Sequence, residues 1–357
     1  MIYINRIIYA VTALTIAIIA YIISLFCIDK PKRKRTRFHP TVCDSNDKYV
    51  LDPTPLAQGT FGKVFKCRDR NNGHSYAVKV TVHDPDDVVE IRILNAVKGN
   101  KLFVQFQECF TQLHIENAKL TTSRYLVTEL LYTSLYNVIC KNAIPNRLIV
   151  EITKQLADAL LFLKTKQIIH ADLKPQNIMF RKPNCSEIAI IDFGTSTYNN
   201  DDKSLTIQTS PYRCPESIFE LDWSYPADVW SLGCLICEMY TGTRLFDFKG
   251  DYHDELESFD ARNEHLHQIE IVSGYYPTHM TRSSTVSVTH FCSKGKSNRL
   301  LKTTSSLENQ RTIDRIFAGW PNMCRLIKRM LVIDPSRRIT IEELVKETKV
   351  FSDAYAL

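Results

Sequence analysis

Asp172, Lys174 and Asn177 fall within a single run bounded by apolar residues, Ile168-Ile169-His170-Ala171-Asp172-Leu173-Lys174-Pro175-Gln176-Asn177-Ile178-Met179. Fifteen residues beyond Asn177 comes Asp192, in Ile190-Ile191-Asp192-Phe193-Gly194. Charged and amide side chains crowded into apolar sequence are expensive to keep unless they do chemistry or meet partners. These types suit phosphoryl transfer, which asks little covalent work of a protein. It asks for a positioned hydroxyl, metal ions across the phosphates and cations over the developing charge. Asp172 can accept or orient the hydroxyl proton and Lys174 can lie against the transferred phosphate. Asn177 and Asp192 offer hard oxygens suited to Mg²⁺.

Upstream lies a second group, Leu56-Ala57-Gln58-Gly59-Thr60-Phe61-Gly62-Lys63-Val64. Glycines let a tight hairpin bring backbone N–H groups against phosphate oxygens with no Cβ in the way. A glycine pair alone is usually a plain turn. Here an alternating strand follows, Ser75-Tyr76-Ala77-Val78-Lys79-Val80, with Lys79 set among apolar neighbours. Glu90 is the only Glu between Lys79 and Glu108, so it is the expected ion-pair partner. An exposed helix acid is the alternative reading. Asp84-Pro85 marks a helix start, and the short connection from Lys79 predicts a helix trimmed at its beginning.

In this order the motifs resemble the eukaryotic protein kinases, over roughly residues 49–351. The resemblance implies an α+β, two-lobed fold, with a small antiparallel β-rich lobe over about 49–131 and a larger helical lobe over about 132–351. It implies ATP and Mg²⁺ as cofactors. Lys79, Glu90, Asp172 and Lys174 would be catalytic and Asn177 and Asp192 metal ligands. Leu56 through Val64, Ala77, Lys79, Glu129, Leu131 and Met179 would surround the nucleotide. Ala57 stands where the family's loop has its first glycine, which should stiffen the loop and weaken nucleotide affinity. Tyr125 to Leu131 resembles the strand entering the hinge, with Thr128 as gatekeeper. Residues 146–166 read as a long helix with Ile149, Ile152, Leu156, Leu160 and Leu163 on one face.

Later motifs keep the family order. Cys214-Pro215-Glu216 takes the place of Ala-Pro-Glu, and Arg338 looks like the partner of Glu216. Asp228-Val229-Trp230-Ser231-Leu232-Gly233 resembles the helix whose Asp holds the catalytic-loop backbone. Cys234 and Cys237 have metal-like spacing, but in an apolar helix they read as core. Lys174-Pro175-Gln176-Asn177 resembles serine/threonine kinases. Residues 197–202, 212–216 and 223–230, with Glu264-His265-Leu266, resemble the Cdc2-like (LAMMER) kinases of the CMGC group. The implied function is transfer of the ATP γ-phosphate to protein Ser/Thr hydroxyls, with tyrosine included as in dual-specificity kinases. Ser210 and Pro211 depart from the group before Tyr212. Ala171 replaces the arginine that commonly binds an activation-segment phosphate, so activity is expected not to need one. Thr195, Ser196, Ser204, Thr206 and Thr209 read as loop hydroxyls, open to modification but mostly solvated. Residues from about 281 to 309 read as a surface insert. A pseudokinase scaffold on a membrane is the competing function, disfavoured because Lys79, Asp172, Asn177 and Asp192 are all present.

The 357 residues are 44% hydrophobic and 24% charged, which excludes a mainly disordered chain. The formal charge of +6 lies wholly in the first forty residues, where seven Lys/Arg meet only Asp29. The remainder is balanced, so no direct nucleic-acid partner is expected. Eleven scattered cysteines fit reduced thiols. From Ile7 to Ile28 run 22 uncharged, mostly apolar residues, long enough for a transmembrane helix where roughly 20 are needed. A signal peptide is the alternative. Residues 29–48 then read as a basic juxtamembrane linker. Six Lys/Arg between Lys30 and Arg37 place that side in the cytoplasm. The expectation is a single-pass membrane protein that meets the lipid bilayer through residues 7–28, with a cytoplasmic kinase domain.

Overall fold

The computed structural model describes residues 42–43, 48–59, 62–82, 89–116, 119–204, 207–248, 258–283 and 312–356. The apolar run 7–28, the Asp84-Pro85 start, Thr60-Phe61 and residues 284–309 of the insert lie outside them. No helix among the described residues is long and apolar enough to cross a membrane.

The smaller lobe is a six-stranded sheet ordered β1-β2-β3-β4-β6-β5, all pairs antiparallel. Its strands are β1 (Val42–Cys43), β2 (Tyr49–Gly59), β3 (Gly62–Asp69), β4 (Ser75–Val82), β5 (Phe106–Glu116) and β6 (Lys119–Glu129). Helix α1 (Val89–Val97) lies between β4 and β5 in the chain. The sheet begins inside the stretch read as linker, because Val42 pairs with Val50 and Cys43 with Tyr49. A β-branched residue beside a paired partner extends an edge readily. Strand alternation sorts the two faces. Val78 and Val127 pair on one face, in a cluster with Tyr49, Leu51, Phe65, Cys67 and Tyr125. Phe110 stacks there on Tyr125, rings nearly parallel at 5.1 Å. Lys79 pairs with Leu126 and Thr81 with Arg124, so both basic side chains belong to the other face. Ile93, Leu94 and Val97 of α1 are fully buried in the larger core cluster.

The larger lobe holds two small sheets and most of the helices. β7 (Thr133–Ser134) leads into α2 (Leu135–Ile139) and α3 (Asn146–Thr165). Ile149, Ile152, Leu156, Leu160 and Leu163 of α3 are all buried, as the periodicity predicts. β8 (Ile168–Ile169), β9 (Ile178–Phe180), β10 (Ile188–Ile190) and β11 (Thr197–Tyr198) form the sheets β10-β9-β7 and β11-β8. The catalytic run is therefore centred on the loop between β8 and β9, and Asp192 lies two residues after β10.

α4 (Pro215–Ile218) and α5 (Pro226–Thr241) come next. α5 is buried nearly all round, with Cys234 and Cys237 in its core as the sequence suggests. Burial pushes both thiols up. α6 (Ser258–Ser273) seats His265 against the rings of Phe246 and Phe248, and Tyr276 Oη donates to Leu266 O at 2.7 Å. The helix α7 (Thr278–Ser283) follows, then α8 (Ile313–Ile316), α9 (Pro321–Met330) and α10 (Ile341–Ala356).

The two lobes are sewn together at the back. Val104 N donates to Ile190 O at 3.0 Å and Ile190 N to Leu102 O at 2.9 Å. Arg181, just after β9, reaches Glu129 Oε2 at 2.7 Å and the carbonyls of Lys101 and Phe103.

Candidate active site

The catalytic loop is fixed from below by one buried carboxylate. Asp228 Oδ2 accepts from His170 N at 2.8 Å and Oδ1 from Ala171 N at 2.9 Å. Ala171 takes a left-handed backbone, φ 62°, which a non-glycine residue holds only when its surroundings dictate it. Burial pushes the Asp228 carboxyl up, against the pull of the nearby His170 and of the two N–H donors. The β8–β9 loop is thus bent so that Asp172 faces the activation segment.

Asp172 is surrounded by donors. Lys174 Nζ is 2.6 Å from its Oδ2, and Asn177 Nδ2 donates to its carbonyl at 2.9 Å and to Oδ2 at 3.2 Å. Thr209 gives Oδ1 both its amide, at 3.0 Å, and its hydroxyl, at 2.7 Å. Lys174 Nζ also donates to Thr209 Oγ1 at 2.8 Å. Thr209 is therefore a site residue, not the solvated loop hydroxyl expected from sequence. Ser196 departs from that expectation too, since it is buried and donates to His170 O at 2.8 Å. Thr195 is exposed, and Thr206 lies outside the described residues.

Asp192 is held beside this loop. Ile191 N donates to Asn177 O at 2.9 Å, and the rings of His170 and Phe193 sit 5.3 Å apart. Lys79 Nζ reaches across from β4 to Asp192 Oδ1 at 2.8 Å and to Glu90 Oε1 at 3.0 Å. The ion pair expected between Lys79 and Glu90 is present. Burial alone would lift the Asp192 carboxyl, but the Lys79 ammonium outweighs it and the net shift is downward. Burial alone would lower Lys79, but Asp192 and Glu90 outweigh it and the net shift is upward. Both groups stay charged near neutrality. Glu90 has a second cation, Arg124, whose Nη2 donates to Oε2 at 3.0 Å. Sequence reading did not single out Arg124.

These residues fit a divalent cation. Asn177 spends its amide N–H on Asp172, which turns its carbonyl oxygen to the other side. Asp192 is kept ionised by Lys79 and is 31% exposed at its side chain. An ionised carboxylate just after β10 and an amide oxygen just before β9 are a hard-oxygen donor set.

The glycine-rich loop is a β2–β3 hairpin in which Gly59 pairs with Gly62 and Gln58 with Lys63. Gly62 has φ 137°, and a Cβ there would collide with the Val80 carbonyl oxygen, so the close approach of β3 to β4 depends on glycine. Leu56, Ala57, Gln58 and Gly59 are exposed, and Lys63 and Val64 are half-buried. Ala77, Thr128 and Met179 are half-buried as well, while Leu131 joins the core. The Glu129 carboxylate is committed to Arg181 and to Gln105 N, at 2.7 and 2.8 Å. Any nucleotide contact at this position falls to its main chain.

The segment after Thr209 is anchored from several sides. Gln208 Nε2 donates to Ala227 O and Ser231 Oγ, at 2.9 and 2.8 Å, while its Oε1 accepts from Cys214 N at 2.8 Å. Tyr212 Oη donates to the buried Glu238 at 2.5 Å. Arg338 grips Glu216 through two parallel bonds of 2.7 and 2.9 Å, as expected from the motif.

Comparison with known proteins agrees with this geometry. The protein kinase domain family matches residues 53–349. Dual specificity protein kinase lkh1 of Schizosaccharomyces pombe is 32% identical over 361 aligned positions, covering 86% of this chain and 49% of that protein. Serine/threonine-protein kinase AFC2 of Arabidopsis thaliana is 30% identical, covering 82% of this chain and 74% of the relative. Dual specificity protein kinase CLK1 of Homo sapiens is 30% identical, covering 88% and 70%. The chain thus spans about half the length of the first relative and about three quarters or less of the others. The resemblance to the CMGC group's Cdc2-like kinases holds over most of the chain. With the Gly-loop hairpin, the Lys79 ion pairs and the Asp228-anchored loop in place, the chain belongs to the protein kinase domain family.

Proposed function

We propose that this chain is an active protein kinase that transfers the ATP γ-phosphate to Ser or Thr hydroxyls of proteins, with tyrosine as a further acceptor. The observation that carries the reading is Lys79, with Glu90 Oε1 at 3.0 Å and Asp192 Oδ1 at 2.8 Å, beside an Asp172 already held by Thr209 and Lys174. Asp172 orients the acceptor hydroxyl and takes its proton. Lys174 and Lys79 set positive charge along the phosphates. Val64, Ala77 and Met179 flank the base, and the hinge main chain at Glu129 and Leu131 reads its edge. Asn177 and Asp192 are the residues that would hold Mg²⁺, which when bound neutralises charge on the phosphate oxygens. The names of lkh1 and CLK1 as dual specificity kinases support including tyrosine. The purified full chain, incubated with radiolabelled ATP and a library of Ser, Thr and Tyr peptides, should label Ser or Thr peptides. Labelling no greater than that of Asp192→Asn would leave a scaffold instead.

The 22 uncharged residues from Ile7 to Ile28 and the basic run after them support a membrane-anchored kinase with its catalytic domain in the cytoplasm. Asn184, in the acceptor pattern Asn184-Cys185-Ser186, is exposed in the β9–β10 turn with φ 56° and would report a luminal domain by becoming glycosylated. The chain should stay with membranes in alkaline carbonate and show no endoglycosidase-sensitive mass. A shift that disappears in Asn184→Gln would reverse the orientation.

A further inference from the structure

Arg124 lies in the middle of β6 with only 5% of its surface exposed. A guanidinium does not give up its proton in a protein, so a buried one must be met by anions and donor-seeking oxygens. Its place is set by strand register. Arg124 is opposite Thr81, and Lys79 is opposite Leu126, so the two basic residues point to the same face, one two-residue step apart. That step is about 6.8 Å along a strand. Glu90, 2% exposed on α1, spans it with a single carboxylate. Its Oε1 accepts from Lys79 and its Oε2 from Arg124, each at 3.0 Å. The charges then alternate without a break: Arg124, Glu90, Lys79, Asp192.

A carboxylate held through one oxygen can turn about its stem. Held through both, it has one orientation, and that orientation presents Oε1 to Lys79. We propose that Arg124 is a positioning residue for phosphoryl transfer, which fixes Glu90 so that Lys79 is kept on the line of the phosphates. The contact is not what docks the helix. Ile93, Leu94 and Val97 are fully buried, and Arg92 lies over the Tyr198 ring at 5.0 Å, tying α1 to the activation segment independently. Removing the guanidinium should therefore loosen one carboxylate and leave α1 in place. Small misplacements of groups that position phosphates are costly in rate.

The inference rests on the phosphoryl-transfer reading, and wild-type turnover in the same assay tests that reading separately. Arg124→Met keeps the stem and drops the charge, Arg124→Lys keeps the charge, and each is to be made also in a Glu90→Gln background. We expect Arg124→Met to lower kcat about tenfold or more, with KM for the peptide within about twofold of wild type. Arg124→Lys should recover part of the loss. In Glu90→Gln the same Arg124→Met change should cost less than about twofold, because residues acting through one group do not add. A kcat within about twofold of wild type in Arg124→Met, or losses that multiply in the double variant, would overturn the proposal. Should Arg124→Met not fold, Arg124→Gln carries the same comparison with a neutral donor of similar reach.

Discussion

The Thr209 hydroxyl donates to Asp172 Oδ1 at 2.7 Å while accepting from Lys174 Nζ at 2.8 Å, so one side chain closes a ring with both catalytic-loop charges. The Thr209 amide adds a further bond to the same carboxylate oxygen at 3.0 Å. Thr209→Val removes the hydroxyl but leaves the amide. A hydrogen bond to a charged group is worth about 1.5–3 kcal/mol, so kcat should fall about 10- to 100-fold. Thr209→Ser should restore most of it in steady-state assays. An unchanged kcat in Thr209→Val would make the hydroxyl a bystander.

Lys79→Met and Asp192→Asn should each abolish measurable transfer. Loss of one preorganised charge-stabilising donor costs about 2.7–4 kcal/mol in the transition state, and removal of a metal-ligand charge adds to it. Circular dichroism should remain near wild type, because neither side chain belongs to the apolar core. Turnover of radiolabelled ATP near the wild-type rate in either variant would remove the assigned role.

The Lys79–Asp192 pair also fixes a pH window. The lowered Asp192 pKa contributes stability that is present above the ordinary carboxylate value and is lost as pH falls through the folded value. The raised Lys79 pKa contributes stability present below the ordinary lysine value and lost as pH rises through the folded one. Between about pH 3.9 and 10.4 the pair stays ionised, so limbs of the pH–rate profile inside that range belong to other groups. In a Glu90→Gln, Asp192→Asn double variant, burial acts on Lys79 with little opposition and its pKa should drop below the ordinary value. Amine labelling of Lys79 followed against pH reads this directly. A Lys79 still harder to deprotonate than a free lysine would contradict it.

Arg338 and Glu216 form a buried bidentate pair, and Arg338 also donates to the carbonyls of Pro226, Val332 and Ile333. Breaking such a pair from one side strands the other charge and typically costs about 3–5 kcal/mol. Arg338→Met should lower the urea midpoint accordingly, with little change in slope. A loss below about 1 kcal/mol would place the pair in the range of exposed bridges.

Phosphatase-treated protein should keep most of its rate. Ala171 is fully buried where the family often has a phosphate-binding arginine. The activation segment is ordered by its own residues instead. β11 pairs with β8, Gln208 binds α5, and Arg213 donates to the carbonyls of Ile207 and Gln208, each at 2.8 Å. A drop of about tenfold or more, reversed by rephosphorylation, would show that a phosphate is needed after all.

What the sequence revealed and what it hid divide along a physical line. Asp172, Lys174, Asn177 and Asp192 sit in short runs whose order could be read directly, whereas the Asp228 anchor, 57 and 58 residues from its partners, was legible only through the resemblance to protein kinases. α3 could also be read directly, because its apolar period has only one helical solution. Thr209 and Arg124 were not legible. They meet Asp172 and Glu90 across 37 and 34 residues of chain, through a fold that no local pattern specifies. Glu129 was placed correctly at the hinge strand, but its carboxylate is taken by Arg181, 52 residues on, which only the packed lobes show. The short β1 was hidden for another reason. Two residues are too few to display a period.

The seam formed by Leu102 and Val104 with Ile190, and by Arg181 with Lys101, Phe103 and Glu129, makes the cleft a jaw with its pivot at the rear. Displacement in such a jaw grows with distance from the pivot. α1 ends at Val97, five residues before Leu102 of the seam, so its end would travel least. An opening of the cleft at its front would leave Glu90 and Lys79 joined. The machinery would then be reset for the next ATP without being taken apart.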